Sequence, residues 1–126
     1  MAHSFTLKDN TTLKDRADKF TILQVDLSKI VKDWKKSLYS FEWLLPDGTV
    51  RPPEKLTTQY RHQYNNVEQI YQLSGTLERP VLGLGMMDNV EIGSRKEVLL
   101  TLARLGVETM DVHVPKSCLN DFKKFM

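Results

Sequence analysis

The chain holds one cysteine, Cys118, in 126 residues. A single thiol excludes an internal disulfide and any cysteine-based metal cluster, and leaves Cys118 as a small, partly buried side chain or an idle surface thiol. Histidine is nearly as scarce, with His3, His62 and His113 scattered along the chain. No two of them stand four residues apart and no cysteine or carboxylate joins them at ligand spacing, so no zinc centre is expected. Long apolar runs are missing too. Val98, Leu99 and Leu100 form one of the longest, far short of the ~20 residues of a membrane span. Residues 1–8 lack the basic start and long apolar centre of a secretory signal, and the protein is expected in the cytoplasm. There is no nucleophile elbow and no Walker loop. Gly83, Leu84 and Gly85 lack the third glycine and following helix of a dinucleotide fingerprint, and their role is to let a sheet twist or a ligand approach.

What remains is an ordinary globular composition. Apolar residues make up 40% and charged residues 27%, and a chain of this length builds one core that buries roughly two-thirds of its unfolded surface. The net charge of +2 and pI near 8.7 permit nucleic-acid contact without demanding it. Basic residues gather in Lys29, Lys32, Lys35 and Lys36, in Arg95 and Lys96, and in Lys116, Lys123 and Lys124. The first and last groups read as solvated helix faces.

The organising stretch is residues 79–115. Pro80 to Leu84 is a short apolar run, Asp88 and Asn89 form a turn dipeptide, and Val90, Glu91 and Ile92 are strand-like up to Gly93. The period then changes: Val98, Leu99, Leu102, Ala103 and Leu105 recur at helical spacing, and Gly106 sits where a helix ends. From 107 to 114 a strand returns, with Met110, Val112 and Val114 on one face and His113 on the other.

Ser94 is the expected N-cap of that helix, and Glu97 completes a capping box with it. The first amides of a helix have no intrahelical partner and favour an anion by ~0.3–1 kcal/mol at an exposed site. Arg95 and Lys96 place two cations at this positive pole, which costs stability unless an anion is held there. Gly93, Ser94, Arg95 and Lys96 are therefore a candidate phosphate site; the alternative is two long side chains lying in solvent. Asp88 and Glu91, just ahead, are the acids that can hold a divalent metal opposite a phosphate, or else a turn aspartate and a surface glutamate.

Ile70, Gly75, Arg79 to Leu82, Val90 to Lys96, Leu102, Ala103, Leu105, Gly106 and Asp111 to Val114 follow an order that resembles the ParB/sulfiredoxin-like fold, over roughly residues 25–114. The resemblance implies an α/β (α+β) domain, a small mixed β-sheet with flanking helices. It implies nucleotide binding at the 93–96 corner, with Mg2+ as a possible companion, or DNA binding. ParB-type members carry a glycine, an acid and two arginines there; in this chain the acid is replaced by Ser94 and the second arginine by Lys96. Sulfiredoxins carry a reactive cysteine at the same corner, and here there is none.

The rest of the chain is read in order. Residues 1–19 are polar and without period, a flexible arm ahead of a domain at 20–126. Residues 20–25 form the first strand. Asp26 or Ser28 caps a helix whose stripe is Leu27, Ile30, Val31, Trp34 and Leu38. Residues 41–45 are a short strand and residues 46–49 a turn, within an insertion at 41–55 that carries Phe41, Trp43, Pro52 and Pro53. A helix over 57–74 buries Tyr60, Tyr64, Val67, Ile70, Tyr71 and Leu73 and stops at Gly75; its tyrosines with Arg61 and His62 also suit base stacking, though a core edge explains them as well. A last helix over 118–125 turns Leu119, Phe122 and Phe125 inward. Two functional expectations follow. One is a nucleotide- or nucleic-acid-binding module. The other is a protein-interaction or assembly domain, with a protein partner or a second copy contacting the 41–55 insertion.

Overall fold

A computed structural model describes residues 4–126; Met1, Ala2 and His3 lie outside the described residues. Its elements alternate as the periodicity requires. Strand β1 is Thr6–Lys8, β2 is Phe20–Asp26, and helix α1 is Leu27–Trp34; α2 is Thr58–Gln72; β3 is Thr76–Glu78, β4 is Val81–Leu84 and β5 is Val90–Ser94; α3 is Lys96–Arg104, β6 is Thr109–Pro115 and α4 is Leu119–Phe122. The result is a mixed α/β domain.

Four strands make the main sheet in the order β2, β6, β4, β5, and β1 pairs in parallel with β3 in a separate two-stranded sheet. β2 runs antiparallel to β6, with Leu23 opposite Val112 and Val25 opposite Met110. β6 meets β4 in parallel at His113 and Val81. β4 and β5 form an antiparallel hairpin with Leu82 opposite Ile92. Because side chains alternate along a strand, Val25, Met110, Val112 and Val114 all enter the core. α3 packs against both α1 and α2. Its Val98, Leu99, Leu100 and Leu102 are buried.

Asp26 caps α1 by accepting from the amides of Ser28 and Lys29. Its carboxyl sits below the usual range, chiefly through the Ser28 hydroxyl. Thr57 caps α2 through the Tyr60 amide. Gly106, at φ 93°, closes α3 in the left-handed region, and Val107 N–H donates to Leu102 O at 3.0 Å. Residues 41–55 are anchored at three points: Trp43, Leu44 and Val50, with Leu56 just beyond, are in the core, and truncation of a side chain the size of Trp43 costs about 3–5 kcal/mol.

Five expectations are corrected. α2 ends at Gln72, and Leu73, just past it, is 73% exposed instead of joining the buried side. α1 stops at Trp34, and Leu38 is 77% exposed instead of lengthening the buried stripe. The short strand at 41–45 is a 3-10 turn, Ser40–Glu42, followed by one isolated antiparallel bridge between Leu44 and Val50. The last helix is one turn of α-helix flanked by 3-10 turns. Finally, among the described residues of the first nineteen, the chain is not an arm: β1 is paired, Thr11–Lys19 is 3-10 helical, and Leu13 and Asn10 are buried.

Asn10 is what fixes that segment. Its amide donates to His113 Nε2 at 3.1 Å, and its Nδ2 donates to Arg79 O at 2.9 Å and to Ser94 Oγ at 3.0 Å. Its Oδ1 accepts from Thr12 N and Thr12 Oγ1. Removing one partner of a buried hydrogen-bonded group leaves the others unsatisfied at about 1–3 kcal/mol. Asn10→Ala is therefore expected to lower unfolding free energy by about 1–3 kcal/mol in urea titration, where a loose arm would give no change.

Candidate functional site

The predicted 93–96 corner exists as a strand-to-helix turn, built differently from the capping box. β5 continues through Ser94, which pairs with Val81. Ser94 therefore belongs to the sheet, and its hydroxyl accepts from Asn10 instead of from the helix. The residue before α3 is Arg95, in the left-handed region at φ 60° and ψ 38°, with no side-chain cap bond. A non-glycine residue there costs on the order of 1 kcal/mol and persists when its surroundings over-determine it.

Those surroundings are two carboxylates. Arg95 Nη2 lies 3.2 Å from Glu78 Oε2, Arg95 Nε donates to Glu78 Oε1 at 3.4 Å, and Nη1 lies 3.5 Å from Glu97 Oε2. The hydrogen bond to Glu78 raises the guanidinium pKa further. Burial alone would raise Glu78, but hydrogen bonds from Arg95 and the Thr11 amide outweigh it and hold the carboxyl below its usual range. Glu97 thus serves Arg95 and does not reach back to an N-cap amide. Lys96 turns elsewhere, its Nζ 5.5 Å above the Tyr60 ring. Gly93 is exposed, and a Cβ built on it would meet only Val81 O at 3.6 Å. The four predicted residues are contiguous, yet Ser94 serves Asn10, Arg95 serves Glu78 and Glu97, and Lys96 lies over Tyr60.

Asp88 and Glu91 are not brought to that corner. Asp88 is an exposed turn residue at φ 59° whose amide donates to Gly85 O. Glu91 leans toward the hairpin tip, where a Cβ on Gly85 would lie 2.8 Å from its Oε2. Its Oε1 accepts from Ser37 Oγ at 2.6 Å and its Oε2 from Asn89 Nδ2 at 3.0 Å. Among the described residues no group of three His, Cys, Asp or Glu side chains is placed to hold a metal ion. The α2 tyrosines also separate: Tyr64 is buried, and Tyr60 packs on Trp43 at 5.2 Å between ring centroids.

Ser37 and Glu91 do bring together something that residue-by-residue reading missed. The hydrogen bond fastens the segment after α1 to the β4–β5 hairpin. Leu38, Tyr39 and Phe41 on the first, and Met86 and Met87 on the second, are all more than 60% exposed. Tyr39 and Phe41 pack on one another at 6.3 Å. The register puts the outward backbone groups of β5 beside them: Gly85 N–H donates to Asn89 O, so alternate pairing turns the amides of Val90 and Ile92 away from β4. Val90 N–H is taken by Asp33 Oδ2 at 2.7 Å. That bond and the Lys36 ammonium outweigh burial and hold the Asp33 carboxyl low.

No protein-family model, no curated protein and no solved structure matches the chain. Among the described residues no helix is long and apolar enough to cross a membrane.

His113 is buried on the sheet face covered by the first 3-10 helix. Burial depresses its pKa below the ordinary 6.5; Asp9, 3.9 Å away, opposes this and Arg79 reinforces it. Its Nε2 accepts the Asn10 amide, which only the neutral ring can do. An unfolded chain takes up a proton that the folded one refuses, so this contribution is present above pH 6.5 and is lost as pH falls through the lower folded value. Melting temperature is expected to fall on acidification through that window, and more steeply for the wild type than for His113→Gln. Equal slopes would mean that the ring plays no part.

Proposed function

We propose that the chain is an interaction module without chemistry of its own, meeting a second copy through the apolar edge formed by Leu38, Tyr39, Phe41, Met86 and Met87. The observation that carries this is the Ser37 to Glu91 hydrogen bond, which fastens together two segments that each carry exposed apolar side chains. A two-fold contact needs a surface complementary to itself, and five uncharged side chains meet that condition. Contiguous exposed apolar surface on a folded domain marks an interaction site. This reading moves the contact from the 41–55 insertion, whose Trp43, Leu44 and Val50 are in the core, to its leading residue Phe41 and the residues before it.

A second reading keeps the corner at Gly93, Ser94, Arg95 and Lys96 as a phosphate site for a nucleotide or DNA, in a ParB/sulfiredoxin-like domain. Its support is the run of strand, turn, strand, helix and strand from β4 to β6, and Lys96, which forms no ion pair among the described residues while standing in the first turn of α3. Against it, an incoming anion competes with Glu78 and Glu97 for Arg95.

Sedimentation velocity over a dilution series tests the first reading. A concentration-dependent dimer is expected, converted to monomer by Leu38→Ser with Met87→Ser at unchanged melting temperature, because both side chains are exposed. A monomer throughout, identical in the variant, would overturn it. Thermal shift with magnesium nucleotides tests the second, since a ligand at a hundred times its Kd stabilises by about 2.7 kcal/mol. The interaction reading predicts no shift; a shift abolished by Lys96→Gln would establish the phosphate site instead.

A further inference from the structure

On a different surface, α1, the 47–50 turn and the end of α3 enclose an open trench of about 1320 Å³. Small-molecule sites occupy roughly 300–1,000 Å³, so the space suits a chain segment better than a metabolite. None of the residues of the apolar edge lines it. Its floor is apolar, with Leu27, Val31, Val50, Ala103 and Val107.

The charges along the trench are sorted by place. Lys32, Lys35 and Arg104 line it beside the turn and the end of α3, and none of them forms an ion pair among the described residues. Lys35 Nζ donates to Pro46 O at 3.0 Å and Arg104 Nη1 to Val50 O at 3.1 Å. These carbonyls position the cations without neutralising them. Lys36 differs, because Asp33 lies 3.1 Å from it. The acids lie apart or are engaged. Asp47 accepts from the amide and the hydroxyl of Thr49 and lies within electrostatic reach of Lys35, so one acid stands against three cations, Lys32, Lys35 and Arg104, at this end. Asp26 and Glu108 stand together at the far end, where Leu27 N–H donates to Glu108 O. Asp26 and Lys35 flank the eight residues of α1, about 14 Å apart at the helical rise of 1.5 Å per residue, with Lys32 between them.

We infer that this trench binds an acidic amphipathic peptide segment of a partner protein. Its apolar side chains would lie on the floor, and its carboxylates would sit against Lys32, Lys35 and Arg104. Asp26 and Glu108 would exclude acids from the other end and so set the direction of the segment. Single-stranded nucleic acid is disfavoured because no aromatic side chain lines the trench to stack a base, and a continuous polyphosphate would run into Asp26 and Glu108 at the far end.

Panning a random peptide library against the folded full chain supplies the ligand. Enriched peptides are expected to combine clustered acids with apolar residues. A fluorescent copy of one should bind with an affinity that weakens about tenfold in Lys32→Glu. The exposed Lys19→Glu, which changes net charge equally outside the trench, should bind it as the wild type does. Failure to enrich, enrichment of uncharged or basic peptides, equal losses in the two variants, or displacement of the peptide by an oligonucleotide at equal concentration would each overturn the inference. None of these outcomes bears on self-association, which sedimentation reads separately.

Discussion

The buried carboxamide of Asn10 is the constraint on which the rest of the arrangement depends. Both of its Nδ2 hydrogens and its Oδ1 are used, and the backbone amide of the same residue holds His113. A side chain with every donor and acceptor satisfied in a buried position specifies one geometry. Here that geometry joins Asn10, ahead of the first 3-10 helix, to the residue after β3, the last residue of β5 and His113 of β6. The consequences reach the predicted site. With its hydroxyl committed to Asn10, Ser94 does not cap α3. The turn passes through Arg95, whose guanidinium lies against Glu78 of β3, the strand that β1 pairs with.

This wiring changes what the charged corner offers. Two cations at a positive helix end invite an anion when they stand free. Here Arg95 has two carboxylates within 3.5 Å, and Lys96 rests over a ring. The electrostatic demand is met mostly within the chain. By contrast, the methionines and aromatics on the segments joined by the Ser37 to Glu91 bond stay more than 60% exposed even though Tyr39 and Phe41 pack on one another. Asp33, bonded to the Val90 amide, blocks one end of the adjoining sheet edge with a charge, which is how edge strands avoid indiscriminate pairing. Side-chain contacts therefore carry any association at this edge.

Much of the fold was legible in the sequence because its signals are local. The alternation of Met110, Val112 and Val114, the stripe of Leu27, Ile30, Val31 and Trp34, and the stop at Gly106 each follow from spacing within one element. The beginning of the chain was not legible. Asn10 acts through partners 69, 84 and 103 residues away, and a polar segment without periodicity gives no sign of such bonds. The same limit applied at the site. Ser94 and Glu97 fit a capping box by spacing, but Asn10 and Arg95 compete for their side chains from outside the helix. The end of α1 at Trp34 was hidden for a similar reason: Leu38 fits the helical stripe, while Ser37 is held by Glu91 across 54 residues. Phe41 and Trp43 are both aromatic in the 41–55 stretch, and only the fold decides that one is exposed and the other buried.

The most direct test of the account is a dilution series of amide NMR spectra on the unmodified chain. Self-association through the apolar edge predicts concentration-dependent shifts clustered at residues 37–42 and 85–92, with the amides of residues 93–97 unmoved. Spectra that stay constant on dilution, and move at residues 93–97 when a magnesium nucleotide is added, would contradict it.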